Sequence, residues 1–280
     1  MAKERLIVVL GDRRYAVHRD WAKLPAGQSF GFLSDVAVDS SGHVHVGQRS
    51  DPPMLVFDST GQLVSTWGEG EIADVHGVSA TPDGHVLVVD RDAHQVLIYA
   101  MQGRRQLALG RRHEPTLQAP FNHPTSAAVA PDGDIYVADG YGNSVVHCFG
   151  ADGRLKCTWG GRGAGPGEFT TPHAVWIDKR NRVLVGDREN NRVQIFDRDG
   201  NYLTEWLDFY HPMAIYGDDR GMIYVTDQIP RISMLNLDGE LIGRGRGTLN
   251  GAHGMSGDAA GNFYLSELPP EKITKLTLLR

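Results

Sequence analysis

The sequence predicts an all-β fold, a six-bladed β-propeller, and an internal repeat carries this prediction. The repeat appears about six times along the 280 residues. Each copy contains four short apolar runs separated by turn residues, as expected of a small antiparallel sheet. Successive copies begin about 40 to 49 residues apart, which is within the range of propeller blades.

Two copies, Pro124 to Gly160 and Pro172 to Trp206, show how each unit is built. In the first, Pro131-Asp132-Gly133 joins the first two apolar runs. In the second, Asp199-Gly200-Asn201 joins the last two. Asp-Gly and Gly-Asn pairs supply the positive φ values that hairpin turns need. We therefore expect four-stranded meanders, which must stack radially because one such sheet cannot bury both of its faces.

The repeats predict a single propeller domain over residues 1–280, in which each copy forms one blade. An anchor position marks the start of the first strand in each blade. The anchors are Asp35, His76, Thr125, His173, Met213 and His253.

Closure of the ring is also predicted. The sixth copy starts at Ala252 and supplies only three strands before the chain ends, so the N-terminal segment is expected to add the outer strand. A tryptophan ends the fourth strand in other copies, namely Trp67, Trp159 and Trp206, and Trp21 fits the same position. Closure removes the exposed strand edges that otherwise promote aggregation.

Composition narrows the function classes. The net charge of -6 argues against a nucleic-acid partner or an anionic membrane surface. No apolar run is long enough to span a bilayer, and the N-terminal apolar stretch is shorter than a secretory signal, so a cytoplasmic protein is expected. Cys148 and Cys157 are expected to be reduced thiols, with a cross-strand disulfide as the alternative. The oligomeric state is left open.

Three histidines, His76, His173 and His253, occupy the anchor in every second repeat. In a closed ring of six blades these positions lie about a third of a turn apart, which brings three imidazoles to the central axis. Three imidazoles with an open fourth position can hold a catalytic Zn²⁺ or another divalent transition metal. The alternative is three channel histidines that bond only to water and backbone.

A second set of candidates follows the second strand of each blade, on the face where the first strands begin. Arg49, Tyr141 and Arg188 are expected to face the metal together, although each could equally be an ordinary loop residue. An arginine suits a substrate carboxylate, and a tyrosine beside a cation can act as a base. The recurring aspartate of these loops is expected to be structural, and His123 is a further substrate-binding candidate.

The chain resembles the peptidyl-α-hydroxyglycine α-amidating lyase family, within the wider group of NHL-repeat propellers. The resemblance covers nearly all blades and rests on four segments: VHGVSATPDGHVLVVDRDAHQVLIY, FNHPTSAAVAPDGDIYVADGYGNSVV, TPHAVWIDKRNRVLVGDRENNRVQIF and AHGMSGDAAGNFYLSE. It implies zinc ligands at His76, His173 and His253. It also implies a catalytic tyrosine at Tyr141 and active-site arginines at Arg49 and Arg188.

The reaction implied by this resemblance cleaves the C–N bond of a carboxy-terminal α-hydroxyglycine to give an amide and glyoxylate. The sequence departs from the family at Gly254, where the family has a calcium-ligating aspartate, so whether a structural Ca²⁺ is bound is left open. Gly142 replaces a family cysteine and Val145 replaces an arginine. The family enzymes act on peptides in a secretory compartment, and no secretory signal is expected here, so a peptide terminus and a small α-hydroxyamide both stand as expected substrates.

Other functions remain open at the level of sequence. A zinc-dependent hydrolase or hydratase would use the same three histidines, with metal-bound hydroxide as the nucleophile. A non-catalytic NHL propeller that binds protein partners would hold no stoichiometric metal. A lactonase-type propeller is the weakest option, because such sites use carboxylate and amide ligands rather than imidazoles.

Overall fold

Short antiparallel strands joined by glycine-containing turns make up the chain, and the computed structural model describes them over residues 6–100, 103–247 and 250–280. The N-terminal strands are β1 (Ile7–Leu10) and β2 (Arg13–His18). Blade one contains β3 (Leu33–Val38), β4 (Val44–Gln48), β5 (Met54–Phe57) and β6 (Leu63–Trp67). Blade two contains β7 (Val75–Ala80), β8 (Val86–Asp90), β9 (Gln95–Tyr99) and β10 (Arg105–Leu109).

The remaining blades repeat this plan. Blade three contains β11 (Ser126–Val129), β12 (Ile135–Asp139), β13 (Val145–Phe149) and β14 (Leu155–Gly160). Blade four contains β15 (Pro172–Ile177), β16 (Val183–Asp187), β17 (Arg192–Phe196) and β18 (Tyr202–Trp206), with a 3-10 turn at Arg188–Asn190. Blade five contains β19 (Pro212–Gly217), β20 (Ile223–Asp227), β21 (Arg231–Leu235) and β22 (Leu241–Gly245). Blade six contains β23 (Ala252–Gly257), β24 (Phe263–Glu267) and β25 (Lys272–Leu279).

Six antiparallel sheets result, which confirms the predicted six-bladed propeller. The second strand of every blade is buried along its whole length, because a neighbouring blade covers each face. Each of the six hydrophobic core clusters combines residues from two adjacent blades, so the core lies between the blades. No helix long and apolar enough to cross a membrane occurs in the described part of the chain.

Closure follows the predicted route and adds one strand that the sequence did not predict. Strand β2 pairs antiparallel with β25, with Arg14 opposite Leu279 and His18 opposite Lys275. It thus supplies the fourth strand of the last blade. Strand β1 pairs with the outer edge of β2, which makes this blade a five-stranded sheet.

Trp21 packs across the seam between the last blade and the first. Trp21 lies beyond the end of β2, which is at His18, rather than within the strand. Its ring centroid is 4.9 Å from that of Tyr264 in blade six and 6.1 Å from that of Phe57 in blade one. Phe57 ends the third strand of blade one.

Two further tryptophans make the equivalent contact between other blades. Trp67 packs on Tyr99 with ring centroids 4.8 Å apart, and Trp159 packs on Phe196 at 5.8 Å. Tyr99 and Phe196 each end the third strand of the following blade. Trp21 therefore has the inter-blade role that the repeat predicted.

Strand register corrects one anchor. Leu33 pairs with Gln48 in blade one as Val75 pairs with Asp90 in blade two. Ser34, rather than the predicted Asp35, is therefore the equivalent of His76. The sequence alone gave no means to separate these neighbours, because neither is a histidine.

The two cysteines lie directly opposite each other on β13 and β14, and both are free thiols. Burial raises the pKa of the Cys148 thiol to about 11, which disfavours the reactive thiolate.

Replacing Trp21 with alanine is expected to lower the free energy of unfolding by about 3–5 kcal/mol, because the substitution leaves a cavity at the closure seam. Urea titration followed by circular dichroism measures the change. Leu203→Ala is the control, because Leu203 is 50% exposed on an outer strand and should change stability by less than about 0.5 kcal/mol. Equal stability of Trp21→Ala and this control would contradict the closure role.

Candidate metal centre

Three histidines from alternate blades meet at the propeller axis. His76, His173 and His253 are each the second residue of an inner strand, β7, β15 and β23. Every pair of their ring centroids is 5.0 Å apart, so the three rings form an equilateral triangle. One nitrogen from each ring lies within 4.8 Å of the other two. The structure thus brings together the three predicted ligands.

Backbone carbonyls of the intervening blades orient these rings. The Nδ1 atom of His76 donates to the carbonyl oxygen of Thr125 at 2.6 Å. His173 makes the same bond to Met213 at 2.8 Å, and His253 makes it to Ser34 at 2.7 Å. Because a carbonyl only accepts, Nδ1 carries the proton and each Nε2 keeps its lone pair. Metal-binding histidines are commonly oriented by such bonds.

Burial keeps the three imidazoles neutral. Desolvation lowers the pKa of all three histidines, and neighbouring positive groups lower it further. The pKa of His253 falls to about 3. Among the described residues, the Nε2 atom of His173 is buried without a hydrogen-bond partner. Three neutral imidazoles with lone pairs directed together fit a divalent transition metal.

The strand register puts the second candidate set at the same end of the propeller as the histidines. Val75 pairs with Asp90 and Pro172 with Asp187, so the loops after the second strands lie beside the starts of the first strands. In all six blades a backbone N–H of this loop donates to the segment before the first strand. The six donors are Arg49, Arg91, Tyr141, Arg188, Gln228 and Leu268. We call these residues the mouth ring.

Tyr141 contacts His76, and Arg188 contacts Tyr141. The Tyr141 hydroxyl donates to Nε2 of His76 at 2.9 Å. The Nη1 atom of Arg188 donates to the Tyr141 oxygen at 3.3 Å, and its guanidinium carbon lies 5.4 Å from the centre of the tyrosine ring. Tyr141 is 39% exposed, so solvent or a substrate can reach it.

Arg49 lies beside the same site. Its guanidinium carbon is 4.7 Å from the centre of the Phe32 ring. The positive charge of Arg49 contributes to the lowered pKa of each of the three histidines, which places it in electrostatic reach of all of them. Burial lowers the pKa of Arg49 itself, despite the nearby Asp74 carboxylate.

Two residues of this site, Arg91 and Asp74, were not among the sequence candidates. The Nη2 atom of Arg91 donates to Asp74 at 3.2 Å, and the Arg91 guanidinium carbon lies 5.9 Å from the centre of the Tyr141 ring. The sequence did contain a signal for Arg91, because Arg91 follows Asp90 in the repeat as the candidate Arg188 follows Asp187.

His123 lies behind Tyr141 rather than at the histidine triangle. Its ring stacks edge-on against His94 at 4.4 Å, and its Nδ1 bonds to Asn122 at 2.8 Å. Its carbonyl oxygen accepts the backbone N–H of Tyr141 at 3.3 Å. A direct role in substrate binding stays a prediction.

The recurring aspartates are structural, as expected. Asp90 accepts the backbone N–H groups of Ala73 and Asp74, each at 2.9 Å. Asp187 accepts the N–H of Thr170 at 2.8 Å in the same way. These bonds fix the segment that leads into each first strand, and with it the position of the histidine that follows.

Gly254 has a packing explanation. A Cβ atom at this position would lie 2.0 Å from Oδ1 of Asp35, so only glycine fits. The half-buried Asp35 side chain accepts the backbone N–H of Val36 at 2.8 Å and that of Val78 at 2.9 Å. Burial raises the pKa of Asp35 to about 7. Asp35 thus fills the space beside the third histidine from the adjacent blade.

Comparison with known families agrees with this architecture. A family model described as a six-bladed β-propeller matches residues 127–237, and a model of the NHL repeat matches residues 73–99. The human NHL repeat-containing protein 3 is 33% identical over 211 residues, which cover 69% of this chain and 59% of the human protein. The chain therefore spans less than two thirds of that relative.

Several curated relatives carry enzyme names, and two of them are named as lyases. The probable peptidyl-alpha-hydroxyglycine alpha-amidating lyase of Caenorhabditis elegans is 29% identical over 90% of this chain and 84% of its own length. The Drosophila melanogaster peptidyl-alpha-hydroxyglycine alpha-amidating lyase 1 is 33% identical over 53% of this chain and 30% of its own.

Solved structures share the fold. A streptogramin B lyase has a TM-score of 0.68 at 14% identity, with 97% of this chain and 100% of that chain covered. A gluconolactonase from Xanthomonas campestris has a TM-score of 0.72 at 16% identity, with 96% and 91% covered. At these identities the likeness shows the architecture only.

Removing one imidazole is expected to abolish tight zinc binding. Elemental analysis after chelation, zinc reloading and gel filtration should give about one zinc per chain for the unaltered protein and far less for His173→Ala. His43→Ala is the matched control, because the His43 side chain is 44% exposed and lies outside the triangle. Full zinc retention by His173→Ala would contradict the assignment.

Proposed function

We propose that this NHL-repeat six-bladed β-propeller is a metal-dependent carbon–nitrogen lyase that holds zinc with His76, His173 and His253. Its substrates would be α-hydroxyglycine-like compounds or other small α-hydroxyamides, and its products an amide and a carbonyl compound such as glyoxylate. The observation that carries the proposal is the Tyr141 hydroxyl, 2.9 Å from Nε2 of a histidine in the triangle. The names of the curated lyase relatives support the same chemistry.

The proposed reaction needs one proton removed and one delivered. The substrate R–CO–NH–CH(OH)–COO⁻ loses its hydroxyl proton as the C–N bond breaks. The oxygen becomes the aldehyde oxygen of glyoxylate, and the nitrogen takes a proton to give R–CO–NH₂. A divalent ion held by the three imidazoles would supply Lewis-acid stabilisation of the charge on a substrate oxygen.

The chain's own residues divide the remaining tasks. Tyr141 would accept the hydroxyl proton, because its oxygen lies 2.9 Å from Nε2 of His76 and its side chain is partly exposed. Arg188 stabilises negative charge on that oxygen through its 3.3 Å hydrogen bond. Arg49 would hold the substrate carboxylate and so fix the hydroxylated carbon relative to Tyr141.

Hydrolysis is the competing reaction at the same site, and gluconolactonase structures share the fold. Product analysis by mass spectrometry distinguishes the two. A lyase releases the intact amide R–CO–NH₂ together with glyoxylate. A hydrolase acting on the amide bond releases the acid R–COOH, and this product would overturn the lyase proposal.

Substituting Tyr141 with phenylalanine is expected to lower kcat by about 10²- to 10⁴-fold, because the proton acceptor is lost while the ring remains. Glyoxylate release from a carboxy-terminal α-hydroxyglycine substrate measures the rate. Tyr202→Phe is the control, since Tyr202 lies on the outer strand β18 and should retain the full rate. A Tyr141→Phe enzyme as fast as this control would remove Tyr141 from the mechanism.

Arg49→Gln is expected to raise KM by about tenfold or more, because a charged hydrogen-bond donor to the substrate carboxylate is lost. The sharper test uses a substrate whose carboxylate is replaced by a neutral carboxamide. The unaltered enzyme should have a higher KM for this analogue than for the carboxylate substrate, whereas Arg49→Gln should have similar KM values for the two. A KM preference for the carboxylate that persists in Arg49→Gln would assign carboxylate binding elsewhere.

A further inference from the structure

Charge is distributed unequally around the mouth ring. Blades one, two and four place Arg49, Arg91 and Arg188 at equivalent positions, and blade three places Tyr141 between the last two. Blades five and six place the uncharged Gln228 and Leu268 at the same positions. The arginines of the mouth ring thus lie on one side, which we call the cationic side, whereas the mouth-ring residues of blades five and six are uncharged.

We propose that Arg91 is a specificity-determining residue that binds a second anionic group of the substrate, so that the preferred substrates are dianions. In this assignment, which rests on the proposed function, Arg49 holds the carboxylate on the hydroxylated carbon. Arg91 holds a carboxylate or similar anion at the far end of the same small molecule.

The first argument is an excess of positive charge in the shielded part of the mouth. Asp74 is shared by two arginines: its Oδ2 lies 3.2 Å from Nη2 of Arg91, and its Oδ1 lies 3.7 Å from Nε of Arg49. The Asp74 side chain is only 11% exposed. Asp74 is therefore shared by two guanidinium groups and cannot neutralise both of them, so an anionic ligand would find uncompensated positive charge there.

The other acidic partners lie further towards solvent. Asp92 accepts Nε of Arg91 at 2.8 Å, but its side chain is 50% exposed. Glu189 accepts Nε of Arg188 at 2.8 Å, and its side chain is 33% exposed. Solvent screens these two carboxylates, so they offset the cationic side less than Asp74 does.

The second argument is the fixed position of Arg91. Its bonds to Asp74 and Asp92 hold the guanidinium carbon 5.9 Å from the centre of the Tyr141 ring. Arg188 lies 5.4 Å from the same centre. The positive charge of Arg91 also contributes, with those of Arg49 and Arg188, to the lowered pKa of His253. Arg91 is thus preorganised beside Tyr141.

Binding of two matched hydroxyacids tests the proposal without turnover. The probes are 2-hydroxyglutarate and 2-hydroxyvalerate, which both have five carbons. The far end of the chain is a carboxylate in 2-hydroxyglutarate and a methyl group in 2-hydroxyvalerate. Calorimetric titration of the zinc-loaded protein should show binding of the dianion about tenfold or more tighter than that of the monoanion. Arg91→Gln should remove this preference and leave the affinity for 2-hydroxyvalerate within about threefold.

Arg180→Gln is the matched control. It removes one arginine from the opposite end of the propeller, where Arg180 pairs with the exposed Asp238, and should leave the preference unchanged. A preference that persists in Arg91→Gln would overturn the proposal. So would an equal loss of affinity for both probes, because that result indicates a structural role for Arg91 in holding Tyr141.

The experiment separates this inference from the proposed function. If the unaltered protein shows the Arg91-dependent preference but cleaves no α-hydroxyamide, the anion subsite stands and the lyase proposal fails. If it cleaves α-hydroxyamides but binds both probes equally, the lyase proposal stands and the Arg91 assignment fails.

Discussion

The hydrogen bond from Nδ1 of each axial histidine to a carbonyl oxygen of the next blade is the interaction on which the candidate site depends. It repeats three times, with donor–acceptor distances of 2.6, 2.7 and 2.8 Å. It explains why histidines alternate with other residues around the ring. The intervening anchors, Ser34, Thr125 and Met213, each contribute a backbone carbonyl to this bond, which any residue type can supply. Each bond fixes one tautomer and directs one lone pair to the axis.

This arrangement also sets the electrostatics of the site. Burial keeps the imidazoles neutral, and the arginines of the mouth ring add positive charge on one side of them. Neutral ligands in a positive environment leave the charge of a bound divalent ion uncompensated. An anionic substrate would then complete the site, with the mouth arginines and the ion acting on the same molecule. The proposed preference for carboxylate-bearing substrates follows from this balance.

Much of the fold and of the triangle could be predicted from sequence because both are properties of a repeat. Turn chemistry gave the four-stranded unit, the repeat number gave the ring, and alternation gave the convergence of His76, His173 and His253. Trp21 could be assigned to the seam because three other tryptophans occupied the same repeat position. In each case several copies constrained one interpretation.

Features that do not repeat from blade to blade could not be predicted in this way. Strand β1 has no counterpart in the other blades, so no repeat position pointed to it. The sequence predicted Asp35 as the anchor in place of its neighbour Ser34, because blade one has no histidine to mark the position. The contact of Asp35 with Gly254 joins two blades, so it could not be predicted from a single repeat. Arg91 was visible in the sequence, but its bond to Asp74 and its approach to Tyr141 depend on the three-dimensional arrangement of adjacent blades.

Zinc K-edge X-ray absorption spectroscopy of the zinc-loaded protein tests the central claim most directly, because it identifies the atoms bound to the metal. The account predicts three imidazole nitrogens at about 2.0 Å and a further light-atom ligand from solvent. A spectrum dominated by sulfur or by a six-oxygen shell, or one with a single imidazole, would contradict a metal held by His76, His173 and His253.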